Sequence, residues 1–198
     1  MRDPGVGRVL VASLHQGIAD ILPSRLGFYE NWLNAEGLRG GTIGLAPLYA
    51  VLSFLRMEEG DAYQLVTARA GEYAADWTVE SMSPTQRSAI KAAPAWLRRR
   101  LLLWLARKLV RTSYPGSRVI SRVRRGTAKV DVRASIFCSV RAPVAHPLCG
   151  FYAAAFMRQM ALFNMRSRAE VVSCRGTGGR SCVLTIALMS GVPQEAQA

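Results

Sequence analysis

The hydrophobic period of this chain changes once, at Tyr114-Pro115-Gly116. Before that point apolar residues recur at helical spacing, and after it they alternate. One such switch calls for helices followed by strands packed into a shared core, an α+β fold. The helical part opens at Val6–Leu22, where Leu10, Val11, Leu14, Ile18, Ile21 and Leu22 form a stripe ended by Pro23. Phe28, Trp32 and Leu33 mark a short second helix that Gly37, Gly40 and Gly41 terminate. Leu45–Met57 is almost wholly apolar and reads as a buried helix. Asp61 is placed to cap the next helix, whose inward residues are Tyr63, Val66, Ala70, Tyr73, Ala74 and Trp77. Ser83-Pro84 gives an N-cap and a first-turn proline, and Pro94 opens the most basic helix, which ends near Ser113.

Beyond the switch, Val130, Val132, Ala134, Ile136 and Cys138 alternate with Lys129, Asp131, Arg133, Ser135 and Phe137, the pattern of a half-buried strand. Arg118–Arg125 is its expected partner across Gly126-Thr127. Pro143 and Pro147 bracket a loop, and Cys149–Met165 predicts an apolar helix. Ala169–Cys174 and Cys182–Met189 predict two strands joined by a glycine-rich loop over 175–181. The expectation is therefore N-terminal helices followed by a four-stranded antiparallel sheet, with a helix inserted between the strand pairs. The chain divides into a helical layer over 1–112, a sheet-bearing part over 113–190 and a tail over 191–198, together one compact unit.

The first twenty residues lack the basic-then-apolar pattern of a secretory leader. No uncharged apolar run approaches the roughly 18 residues that a membrane span needs. A cytoplasmic location is expected, where clustered cysteines favour thiols or a metal over disulfides. Outside a reducing compartment, Cys174 and Cys182 are the pair to bridge.

Charge is divided unevenly. Residues 1–80 carry six basic and ten acidic side chains, and residues 81–198 carry twenty and three. Between Ser81 and Val130 there are thirteen basic residues and no acidic one. Such a field draws phosphates, anionic lipid or an acidic partner, although arginine-rich composition alone produces it too. On the helix from Pro94, Arg100, Arg107 and Arg111 form one basic stripe, with Leu97, Leu101, Trp104, Leu105 and Leu109 as an apolar arc beside it. A core-packed helix with a wet basic side fits this pattern, as does a helix on a membrane surface or an acidic protein. Nucleic acid is not expected, since no helix-turn-helix or RNA-binding signature accompanies the charge.

The four cysteines stand at 138, 149, 174 and 182. Cys174 and Cys182 flank the hairpin loop, and Cys149 begins a helix whose N-terminus favours a thiolate. Three thiols able to meet at one end of the sheet resemble part of a structural zinc site; buried unligated cysteine is the plain alternative.

The segment Leu148-Cys149-Gly150-Phe151-Tyr152-Ala153, its apolar helix, Glu170-Val171-Val172-Ser173-Cys174, the glycine-bearing gap and Cys182-Val183-Leu184-Thr185-Ile186 resembles the 4-vinyl reductase domain. The resemblance covers roughly Ser113–Met189, with an echo in Ala68–Ala74. It implies a fold like that of TRAPP trafficking subunits and a role in sensing aromatic compounds or carrying tetrapyrrole intermediates. An accessory role in bacteriochlorophyll synthesis is a further implication. In the family's sensor branch three cysteines and a glutamate hold zinc. Carried over, the cysteines are Cys149, Cys174 and Cys182. The glutamate's position, three residues before the second cysteine, is Val171 here, with Glu170 one residue away. Glu170, His146 and Cys138 stand as alternatives for the fourth ligand.

No nucleophile elbow and no nicotinamide or flavin fingerprint occurs, and Gly176, Gly178 and Gly179 precede a strand where a phosphate loop would precede a helix. No catalytic residue and no nucleotide cofactor is expected. Phe54, Tyr73, Trp77, Phe151, Tyr152 and Phe156 are candidates to line an apolar pocket between facing helices, with Ala153, Ala154, Ala155, Gly71 and Ala74 as its small side. Ordinary core packing accounts for the same residues. The reading is a non-catalytic sensor or carrier of a hydrophobic, aromatic or tetrapyrrole-like small molecule, with zinc as its candidate cofactor. The alternative reading is an adaptor that binds an acidic protein partner or an anionic membrane surface through its basic face, with a homodimer as the candidate assembly.

Overall fold

The computed structural model describes residues 5–33 and 42–189, and the period switch falls where helix gives way to sheet. The helices are α1 (Arg8–Ile21), α2 (Leu26–Leu33), α3 (Leu45–Glu58), α4 (Ala62–Glu80), α5 (Pro84–Ala92), α6 (Ala95–Ser113) and α7 (Gly150–Leu162). Two short strands, β1 (Val6–Gly7) and β2 (Thr42–Ile43), pair antiparallel. The main sheet holds β3 (Arg118–Arg124), β4 (Thr127–Arg133), β5 (Arg166–Ser173) and β6 (Cys182–Met189) in the order β3-β4-β6-β5, antiparallel throughout. The protein is thus α+β, with α7 inserted between the two hairpins. Gly37, Gly40, Gly41 and the 191–198 tail lie outside the described residues.

Ser83 caps α5 as its sequence predicts: its hydroxyl accepts from the Gln86 N–H, and the Gln86 side chain returns to the Ser83 N–H. Asp61 departs from expectation, because its own backbone is helical and its side chain makes no capping bond. Helix α3 is buried on one side only, through Leu48, Val51, Leu52 and Leu55, while Met57 is 77% exposed.

The alternation expected to run to Cys138 stops at Arg133. Ala134 adopts a left-handed φ of 54°, its carbonyl accepts from Ser117 Oγ at 2.9 Å, and a 3-10 turn follows at Ile136–Cys138. The turn sinks Phe137 into the core, where continued alternation would have left a large ring on the wet side.

One continuous core joins helices and sheet. Ala128, Val130, Val132, Leu184, Ile186 and Leu188 form the buried inner face of the sheet. Helix α7 covers it at β5 and α6 at β3, while α4 lies on α7 and α1 on α4. The crossings of α4 depend on glycine. A Cβ on Gly17 of α1 would lie 2.7 Å from the Val66 carbonyl oxygen. A Cβ on Gly71 would overlap the Phe151 carbonyl oxygen and lie 3.0 Å from Ala155 N. The small residues expected to edge a pocket here instead let α4 and α7 meet backbone to backbone.

Candidate metal centre and ligand-binding core

Each of the four cysteines comes from a different element. Cys138 ends the 3-10 turn after β4, and Cys149 is the N-cap of α7. Cys174 follows β5, and Cys182 is the first residue of β6. All four are buried free thiols.

The register of β5 on β6 explains how Cys174 reaches the group. Cys182, Leu184, Ile186 and Leu188 share the inner face of β6. With Val171 opposite Leu184, an unbroken ladder would set Ser173 against Cys182 and turn Cys174 outward. A bulge at Val172 sets Ser173 opposite Val183, so the following residue, Cys174, arrives on the face of Cys182.

The sulfur of Cys138 lies 3.0 Å from that of Cys149 and 3.3 Å from those of Cys174 and Cys182, and Cys149 lies 3.7 Å from Cys174. All four sulfurs fall within 4.8 Å of one another. A tetrahedral zinc–thiolate centre has bonds of about 2.3 Å and hence sulfurs about 3.8 Å apart. The donor set and spacing fit such a metal after shifts of a few tenths of an ångström at each sulfur. The Leu148 N–H donates to Cys174 Sγ at 3.3 Å, the kind of second contact that orients a metal-binding thiolate. The Cys138, Cys149 and Cys182 thiols around it, with this N–H, hold the Cys174 thiol well below its ordinary range. Cys138 and then Cys149 likewise lower Cys182, whereas Cys138 first, then Cys174 and Cys182, push Cys149 up.

The cluster brings together Cys149, Cys174 and Cys182 and takes Cys138 as the fourth member. Glu170 and His146 lie outside it. Glu170 is exposed opposite Thr185, and because the bulge comes after it, nothing turns it inward. His146 is exposed in a recess of about 200 Å³ with Arg56, Tyr63, Gln64 and Leu148. At Arg56 and Val144 the recess meets a groove of about 880 Å³ between α3 and residues 139–144.

The six aromatic candidates separate into three places. Phe54 meets Phe28 edge-on at 5.5 Å and Trp32 at 6.0 Å. Tyr73 and Trp77 pair at 5.5 Å on a half-exposed side of α4. The Tyr73 hydroxyl donates to Asp20 at 2.7 Å, and Arg69 beside Asp20 holds that carboxyl at about 2. Phe151, Tyr152 and Phe156 are fully buried. Phe137 stacks on Phe151 at 4.8 Å, and Tyr152 stands edge-on to both.

Two residues belong with this inner group and were not singled out from the sequence. Phe137 was hidden by an alternation that ends early. Gln159 was legible as an uncharged polar residue inside the apolar run of α7. It is 0% exposed, and neither end of its amide has a hydrogen-bond partner. The Tyr152 hydroxyl is also buried and unpaired, with Ser135 and Ser117 near it but completing no hydrogen bond.

On α6, Arg100 and Arg111 are exposed and Arg107 is half-buried, donating to Ser121 Oγ of β3 at 2.6 Å. Trp104, expected on the apolar arc, is 54% exposed instead. It stands four residues from Arg100 and seven from Arg111, which on a helix is the same side.

No protein-family model matches the chain, and no curated protein does. Solved structures do. An Fe(II) unliganded H-NOX protein (an A71G mutant) from K. algicida is similar at 12% identity and a TM-score of 0.57, over 94% of this chain and 98% of that one. A trafficking protein particle complex subunit 3 from Naegleria fowleri, covalently bound to palmitic acid, is similar at 10% identity and 0.53, over 76% and 96%. The phenol-responsive sensory domain of the transcription activator PoxR, with phenol, is similar at 16% identity and 0.50, over 74% and 75%. What the present chain has in common with these proteins is the fold.

Proposed function

We propose that this protein is a non-catalytic small-molecule-binding module, a sensor or carrier of an aromatic or otherwise hydrophobic ligand, braced by zinc on its four cysteines. Gln159 is the observation that carries the reading. A fully buried amide with neither end paired costs on the order of 1–3 kcal/mol, and it stands one turn beyond Phe156 in the aromatic layer. A ligand with an apolar body and one polar group supplies what this amide lacks. Phe137, Phe151, Tyr152 and Phe156, all fully buried, give the apolar surround. The ligands named for the similar folds, phenol and palmitic acid, support the same class.

Zinc in the cysteine centre is structural, because four thiolates leave no open coordination position. It ties β4, α7, β5 and β6 to one point. Cys149, Cys174 and Cys182 are the positions that the 4-vinyl reductase resemblance selects, and membership of that family is part of this reading.

Gln159→Leu tests the ligand. The substitution is expected to hold or raise the melting temperature, since it removes an unpaired buried amide. It is also expected to lower uptake of the neutral probe N-phenylnaphthylamine at least about tenfold, the effect of about 1.4 kcal/mol. A variant that takes up the probe as the parent does, or a parent that takes up none, overturns the proposal.

A further inference from the structure

Helix α6 carries a face that ligand binding does not use. Its core side is satisfied by Leu102, Leu103, Leu105, Ala106, Leu109 and Val110, all buried. On the opposite side Trp96 is 61% and Trp104 54% exposed. The Arg100 guanidinium stands 5.7 Å from the Trp96 ring centre and the Lys108 ammonium 5.9 Å from that of Trp104. Arg111 extends the stripe by one turn. No acidic side chain occurs on α6 itself. Two indoles left in water between cations are not explained by folding.

We propose that this face attaches the protein peripherally to an anionic lipid surface. Indoles favour the headgroup level of a bilayer, and cations beside them meet the lipid charge, each contributing about fivefold in partitioning. A second copy of the chain would bring like charge against like charge. Single-stranded nucleic acid is gripped in grooves that track its backbone, and a convex helix offers none. No helix among the described residues is long and apolar enough to cross a membrane, so the contact lies at the surface.

The test uses the full chain with phosphatidylcholine vesicles that either contain or lack phosphatidylglycerol. Co-sedimentation with the anionic vesicles only, weakening as salt rises, is expected, with a blue shift of tryptophan emission. Trp96→Ala with Trp104→Ala, and separately Arg100→Gln with Arg111→Gln, are each expected to lower partitioning about tenfold or more. These side chains are exposed, so an unchanged melting temperature certifies each variant as folded. Equal binding to neutral vesicles, absence of vesicle binding, or tighter binding to a single-stranded oligonucleotide or polyglutamate than to anionic vesicles overturns the proposal.

Discussion

Removing zinc is expected to lower the melting temperature of this protein by about 10 °C. A ligand that binds only the native state, held about a thousandfold above its dissociation constant, adds roughly 4 kcal/mol. For a chain of 198 residues each kcal/mol moves the midpoint about 2–4 °C. The four cysteines arrive from regions separated by up to 44 residues, so one ion at their centre joins parts of the chain that the unfolded state holds apart. Cys138→Ala separates this account from a cluster of unligated thiols. As a small buried apolar group, the Cys138 side chain is worth only about 1 kcal/mol. As a metal ligand, its loss reproduces most of the effect of chelation. Parent and variant should then melt several degrees apart when loaded with zinc and close together after chelation. A constant small difference in both conditions contradicts metal binding.

The crossing of α4 on α7 carries the next largest effect. Gly71→Ala is expected to destabilise by about 3 kcal/mol, because the added methyl meets the Phe151 carbonyl and Ala155 N, both backbone atoms of a buried helix. Neither can yield without shifting α7, and Cys149 at its N-terminus would move with it. Gly27→Ala is the control. It is an exposed position in α2 with nothing within 4 Å of a new Cβ. There the exchange should stabilise by about 0.5–1 kcal/mol through helix propensity alone. Urea unfolding of the two variants measures both effects. Similar values for the two would mean that α4 and α7 are not in the backbone contact described above.

Hydrophobic period made the element order legible, since both the 3.6-residue and the two-residue patterns reflect which side of each element is buried. It failed at local departures. The left-handed Ala134 and the bulge at Val172 each change the face a side chain presents, and neither involves glycine or proline to announce it in the sequence. Those two departures are also what complete the centre, by bringing in Cys138 and by turning Cys174 to Cys182. Spacing could therefore bring three cysteines to one sheet end while leaving the fourth partner open among Glu170, His146 and Cys138. The small residues of α4 and α7 were ambiguous in another way. Small residues opposite large ones leave a cavity or permit a close crossing, and composition does not distinguish the two. Only the helix separation at Gly71 decides it. Trp104 shows that an apolar residue near an apolar arc is not thereby buried.

Native mass spectrometry of protein purified without chelator tests the central claim most directly, because it reads metal and ligand on one molecule. The account predicts one zinc per chain, retained until the four cysteines are modified, together with a small-molecule adduct that Gln159→Leu abolishes. A metal-free chain whose four thiols alkylate freely in the native state, with no adduct at any stage of purification, would contradict it.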